Sequence, residues 1–449
     1  MSKQKIQLSD HFTYPRLLRF VLPAVGTMLF TSIYGIVDGL CVSNFVGKTA
    51  FAAVNLIMPL PQLLATIGFM LGTGGSAIVG ITLGEGDQKK ADRYFTLFLL
   101  AALVSVSVLA VLGIVFLRPI AVLLGAKGEL LDYAVRYGRI LMVSLPTFAL
   151  QNMFQSFFVT AEKPHLGFWF TVGAGCTNMV LDVLMVGIWG WGVEGAAIAT
   201  FISQLVGGVL PVFYFIDRSN SSRLHLCKTS FYSKVLRDAC INGSSELMTN
   251  LSMSLVNILY NYQLLRLAGE NGVAAYGVIM YAAFLFVAVF VGYAVGSAPI
   301  VSFHYGARNH AEVHNLYRKS LRLIAVVAVT LTLASMFIIP CVARIFVGYD
   351  AELLALTSRA FRLYALSFLI MGFNVYASSF FTALGDGVTS ALISFLRTML
   401  FQVIAIIVLP MLLDIDGIWL AITAAELAAL AVSVTMFITK DKVFHYRKV

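Results

Sequence analysis

The 449-residue chain has little charge. Asp, Glu, Lys and Arg make up 12% of it, roughly half the share of a soluble domain. Hydrophobic residues make up 59%, so the chain cannot cover itself with a water-facing surface. Cysteine is scarce. Cys41, Cys176, Cys227, Cys240 and Cys341 are scattered without a CxxC pair, which excludes a disulfide framework or a thiolate metal site. A nucleotide-binding motif is missing. Gly47-Lys48-Thr49 resembles the end of a phosphate loop, but Val42 stands where the first glycine is needed and no strand precedes it. ATP is therefore not the expected energy source, and an ion gradient is. No nucleophile–base or metal constellation is visible, so an enzyme is not expected. The net charge of +9 does not point to nucleic acid, because the basic residues sit in short loops and at the ends without a continuous stripe. The first twenty residues lack a cleavage pattern after their apolar run and read as an amphipathic lead-in rather than a signal peptide.

What the chain has instead is long apolar runs. They lie at 17–44, 51–83, 94–117, 134–160, 166–189, 193–216, 237–266, 273–304, 319–343, 358–383, 388–413 and 417–438. Each approaches or exceeds the ~20 residues needed to cross a bilayer. The fold expected is an all-α integral membrane protein of twelve transmembrane helices. An even number of spans puts both ends on one side. That side carries Lys89, Lys90, Arg93, Arg223, Lys228, Arg318 and Lys319, besides the basic residues of both termini. The other side has chiefly Lys48, Arg118, Lys127, Arg266 and Arg344. The positive-inside rule makes both termini cytoplasmic, in a plasma (inner) membrane.

The longest polar stretch, near 217–238, divides the chain into an N-lobe (1–216), a cytoplasmic linker (217–236) and a C-lobe (237–449). The two lobes align at an offset of 222 residues. Gly74 then faces Gly296, Gly84 faces Gly306, Asn152 faces Asn374, and Thr160-Ala161 faces Thr382-Ala383. Six spans per lobe insert both copies the same way up. The expectation is two six-helix bundles related by a pseudo-twofold axis along the membrane normal. Rocking of the bundles around a central cleft gives alternating access.

Membrane-buried polar groups are costly, about 2.5–3.5 kcal/mol for a charge at mid-bilayer, and so informative. Asp38 lies in span 1 and Asp182 in span 5, with Asn178 one helical turn before it on the same face. Asn152 in span 4 and Thr200 in span 6 add neutral oxygens. Together they suit a Na⁺ site or a proton-accepting pair. At the 222-residue offset Asp38, Asn178 and Asp182 face Tyr260, Leu400 and Ile404, so the cluster exists in one lobe only. Interhelical hydrogen bonding is the bland alternative. Glu246, early in span 7, either faces the cleft as a second cation site or snorkels to the interface. Glu426 and Arg397 read as structural. Pro23 permits a bend in the helix that carries Asp38. The abundant Phe and Met suit a greasy cleft for flat organic cations.

At these residues the chain resembles the multidrug and toxic compound extrusion family. The resemblance spans the whole chain and rests on LPAVGTMLFTSIYGIVDGLCVSNFVG, GTGGSAIVGITLGEGD, TNMVLD and the loop motif GARN. It implies a twelve-helix antiporter that exports organic cations and drugs in exchange for Na⁺ or H⁺, without a cofactor. It also implies an ion site at Asp38, Asn178, Asp182 and Thr200, with Asn152, Pro23 and Tyr34 in supporting roles. Of the family's span 7 Glu and span 10 Asp, only the first is matched, by Glu246; span 10 offers Phe373 and Asn374 and no acid. A monomer in the bilayer is expected. A flippase for a lipid-linked sugar is the alternative, although it would want several inward Arg or Lys. A passive channel is a further one, and the lopsided acids argue against it.

Overall fold

The computed structural model describes residues 6–45, 48–348 and 350–446, without the side chains of residues 36, 38–45, 48 and 51. The side chain of Asp38 is therefore outside the described residues. The secondary structure among the described residues is helical, with no strand.

The first half contains α1 (Tyr14–Phe45), α2 (Lys48–Ile57), α3 (Pro59–Gly84), α4 (Gln88–Leu123), α5 (Glu129–Thr160), α6 (Pro164–Asp182), α7 (Gly192–Gly208) and α8 (Leu210–Ile216). The second contains α9 (Ser233–Gly306), α10 (His310–Val347), α11 (Ala351–Ala365), α12 (Phe368–Ala383), α13 (Gly387–Phe395), α14 (Phe401–Thr439) and α15 (Asp441–Phe444). Short π-helical pieces, Val183–Ile188 and Leu396–Leu400, interrupt the fifth apolar run and the eleventh. Local chemistry sets the boundaries. Pro59 and Pro164 sit in the first turns of α3 and α6, where no N–H is needed. Asp87, Asn309, Asp350 and Asp386 cap α4, α10, α11 and α13 by accepting from backbone N–H groups two or three residues on.

Eight of these helical stretches are long and apolar enough to cross a membrane, or nine if α11 and α12, bent by 46°, form one span. The helix α5 is not among them. Its first turns carry Glu129, Asp132, Arg136 and Arg139. Two stretches are interrupted within. α9 runs for 74 residues, but Gly269 inside it has φ 60° and ψ −150°. A straight helix of that length would reach about 110 Å, several times the ~30 Å of a hydrocarbon core. Asp414 breaks α14 in the same way, with φ 51° and ψ −134°. Both breaks lie in the gaps between apolar runs.

Glycines set the closest helix–helix contacts. A Cβ on Gly84 would collide with the carbonyl of Phe303, and one on Gly306 with the carbonyl of Ile81. A Cβ on Gly74 would meet Ala239 and Gly243, and one on Gly296 would meet Val21 and Ala24. Shifting each contact by 222 residues turns it into, or within three residues of, its counterpart. α3 and α9 therefore cross with their backbones in contact, the approach that small residues permit between apolar helices. These contacts lie beside the loops 85–87 and 307–309, the end of the molecule called here the basic end.

Candidate functional site

In the first half, Asn178 and Asp182 project from one face of α6. Both are buried, at 1% and 0% exposure. Neither amide atom of Asn178 has a hydrogen-bond partner among the described residues. Burying such groups unpaired costs about 1–3 kcal/mol, so they are poised for a ligand. Asp182 closes the α-helical part, and the π-helix begins at the next residue. Such bulges are frequent at functional sites. Gly175, a turn before Asn178, lets Phe30 and Tyr34 of α1 come up against this face. Thr200 is half-buried on α7, which packs against α6. Its hydroxyl donates to Ala196 O at 3.0 Å, leaving the oxygen's lone pairs for a cation. Carboxylate, amide carbonyl and hydroxyl oxygens form a donor set that fits a hard cation such as Na⁺.

Asn152 is buried on α5 with its Nδ2 unpartnered among the described residues. It lies eight residues from the basic end of α5, about 12 Å along the axis, whereas Asn178 lies about 21 Å along α6. Asn152 thus occupies a shallower level than the Asn178–Asp182 face. Pro23 is buried within α1, and its carbonyl accepts from the Thr27 hydroxyl at 2.9 Å.

The second half answers with a completed network. Arg397 Nε donates to Glu426 Oε1 at 3.0 Å. Asn374 Nδ2 donates to Glu426 Oε2 at 2.7 Å and to Glu426 O at 2.9 Å, and Asn374 Oδ1 accepts from Ser433 at 2.8 Å.

Between the halves runs a cleft partly open to solvent. Thr73, Ser76 and Ser156 line it from the first half. Glu246, Ser378 and Arg397 are among those lining it from the second. Glu246 lies thirteen residues into α9, about 20 Å from that helix's basic end. Its side chain lines the cleft.

The sequence profile described as MatE matches this chain twice, over residues 23–184 and again over 247–408. The chain belongs to the MatE family. Two matches in tandem also account for the repeat. The multidrug export protein MepA of Staphylococcus saprophyticus is 20% identical over 438 residues, covering 95% of this chain and 94% of the relative. MepA of Staphylococcus aureus is likewise 20% identical, over 96% and 94%. Among solved structures, the crystal structure of MATE in complex with MaL6 superposes with TM-score 0.92 at 22% identity, covering 99% of this chain and all of that one. The outward-facing conformation of a multidrug resistance MATE family transporter has the same TM-score and identity, over 99% of each chain. These structural likenesses establish the fold of a MATE transporter for this chain.

Sequence reasoning missed several groups. Arg397 reads as structural from its neighbours but also lines the cleft. Gln155 Oε1 and Gln204 Oε1 are buried without a partner among the described residues, and amides carry no charge to draw notice in an apolar run. Glu162 sits in a turn and Glu312 in the first turn of α10, where acids are expected, yet they are 8% and 5% exposed.

Proposed function

We propose that the protein is a secondary active multidrug efflux transporter of the plasma membrane, exporting organic cations in exchange for Na⁺ or H⁺. The observation that carries this reading is the buried Asn178–Asp182 face of α6, with the Asn178 amide unengaged at the start of a π-helix. Asp38, about four turns beyond Pro23 on α1, is assigned to the same ion site, with Thr200. The MepA relatives export drugs by name, and this supports efflux as the direction.

Twelve spans result when α5 and the bent α11–α12 pair are each counted as a span and α9 is divided at Gly269 and α14 at Asp414. They form two six-helix lobes, residues 1–216 and 237–449, joined by a cytoplasmic linker at 217–236. The glycine contacts that map onto one another support a twofold axis between the lobes. They also hold the basic end shut, so we read the conformation as open to the opposite side. The basic end, with both termini, is the cytoplasmic one, and one chain suffices as a monomer. Cation binding neutralises the N-lobe carboxylates and removes the cost of burying their charge. That change lets the lobe repack, release substrate outward and then deliver the ion inward. A membrane potential of 100 mV contributes about 2.3 kcal/mol per charge moved.

The test is ethidium transport in reconstituted vesicles with Na⁺ and pH gradients imposed separately. One gradient should drive efflux, and Asp38→Asn and Asp182→Asn should each abolish the coupling. Transport by both variants at the wild-type rate would remove the proposed site. The flippase reading is disfavoured, because Arg397 alone among the described basic side chains lines the cleft, where a pyrophosphate would want several.

A further inference from the structure

The cleft carries two opposite charges with unengaged hydrogen-bonding ends. Among the described residues, the Glu246 carboxylate accepts no hydrogen bond, although that residue's backbone carbonyl does. Arg397 engages Glu426 through Nε alone. Its two terminal nitrogens are absent from the buried unpartnered groups, so they reach open space, and the space beside them is the cleft. Glu426 is 4% exposed and holds the guanidinium in place. An arginine fork fixed at Nε presents parallel N–H donors that match a carboxylate. Hydroxyls of Ser378, Ser394 and Thr249 line the same space.

We infer that this cleft selects amphoteric organic molecules, with a substrate carboxylate on Arg397 and a substrate ammonium or iminium on Glu246. The inference deepens the proposed efflux function and rests on it. A simple monocation gains from Glu246 but is opposed by Arg397, whereas a molecule carrying both charges satisfies both ends. The test compares rhodamine 110, which keeps its free carboxylate, with rhodamine 123, its methyl ester, in proteoliposomes of the full chain. The acid should show a KM several-fold below that of the ester. The double variant Arg397→Gln/Glu426→Gln, which removes this ion pair as a unit, should erase the preference of acid over ester. Equal KM values in the wild type would overturn the inference with no variant needed, as would ethidium export without export of either rhodamine. Ethidium transport in the same vesicles reports separately on the efflux function.

A different observation stands at the basic end. The segment before α1 is tied to both halves through two buried carboxylates. Leu8 N donates to Glu162 Oε1 at 2.9 Å, and Phe12 N donates to Glu312 Oε1 at 2.9 Å. His11 Nδ1 lies 2.6 Å from the other Glu312 oxygen. Lys319 and Asn315 both donate to Phe12 O, at 2.6 and 3.1 Å. The side chains of Leu8 and Phe12 are fully buried. Arg223 adds a second tie, donating to Glu162 at 2.7 Å while its guanidinium lies 5.0 Å from the centre of the Phe303 ring. Glu162 itself has φ 60°. That is a conformation disfavoured for a residue with a side chain; the corresponding turn of the other half places Gly385 there, at φ 80°.

We propose that residues 8–12 and Arg223 form a strap that locks the halves together at the basic end, and that its release is part of opening there. The test places spin labels at Lys89→Cys and Ala311→Cys, exposed positions on opposite sides of the strap, in a chain whose natural cysteines are replaced. The intact strap should give one short, narrow distance. Glu162→Gln with Glu312→Gln, or deletion of residues 2–12, should add a longer population and speed labelling of a cysteine at Ser76 by a reagent supplied at the basic end. An unchanged distance distribution in the double glutamine variant, which retains every atom needed for packing, would overturn the proposal.

Discussion

The two halves share a scaffold but treat their polar interiors differently. At the 222-residue offset, Asn152, Gly175 and Gln204 of the first half correspond to Asn374, Arg397 and Glu426 of the second. In the second half these residues form a closed network in which both ends of the Asn374 amide are bonded. In the first half, Asn152 Nδ2 and Gln204 Oε1 have no partner among the described residues. Where the second half has Arg397, the first has a glycine with Phe30 and Tyr34 packed against it. Satisfied polar networks rigidify, and unsatisfied ones carry free energy that a ligand can recover. On the proposed function, the second half's interior network is the static one and the first half's is the one that responds to the ion.

The largest test of that contrast is Asp182→Asn. Gradient-driven ethidium export should fall by at least about tenfold while the melting temperature in detergent rises, because a buried charge costing about 2.5–3.5 kcal/mol is removed. A fall in both would make Asp182 a structural residue like those of the second half. Next comes Glu426→Gln. It leaves the partly buried Arg397 without its partner and should destabilise the protein by about 1–3 kcal/mol, read as thermal unfolding. Adding Arg397→Met should recover most of that loss. An Asn152→Leu substitution should be close to neutral or stabilising by the same measurement, since no bond to a described residue is lost.

A smaller effect tests the symmetry itself. Gly84→Ala and Gly306→Ala introduce equivalent collisions, with Phe303 and Ile81 respectively. Each should cost about 1–3 kcal/mol and shift the Lys89–Ala311 label distance alike. Unequal responses would show that the crossing of α3 and α9 is not a shared hinge.

The smallest effect concerns pH. Asp386, which caps α13, lies 2.7 Å from Lys440. Burial raises its pKa, but hydrogen bonds from Lys440 and Thr389 and the ammonium charge lower it more, so the net shift is downward. A depressed carboxyl pKa stabilises the fold above the ordinary carboxylate range, and that contribution is lost as pH falls through the lowered value. Lys440→Gln should therefore reduce the melting temperature slightly at neutral pH, by less than about 1 kcal/mol equivalent. The difference from wild type should vanish once Asp386 is protonated. The first half has Pro164 at the matching position, so no equivalent pH response is expected there.

Much of the fold was legible from residue order. Apolar runs mark helices because a backbone in hydrocarbon must satisfy its own hydrogen bonds, and Gly269 and Asp414 break the helices where the runs pause. The repeat was legible because Gly84 and Gly306, with other small and polar residues, recur at one offset, and the two glycines make equivalent contacts between α3 and α9. The Asn178–Asp182 face was legible from helical spacing alone. Glu246 was not, because its distance from the helix end depends on where α9 begins, at Ser233 rather than near 237. Arg397 was not, because its partner Glu426 is 29 residues away in sequence and its free end is defined by the cleft.

The sequence by itself determined the helical class and the duplication, because hydropathy and spacing are local properties of the chain. Only the tertiary structure decided which polar groups are satisfied. Pairing depends on neighbours far apart in the chain, so Asn374 and Asn152, aligned in the repeat, ended with opposite fates. It also decided that Glu162 and Glu312 lie buried beneath the amino-terminal segment, which reaches them from residues more than 150 positions away.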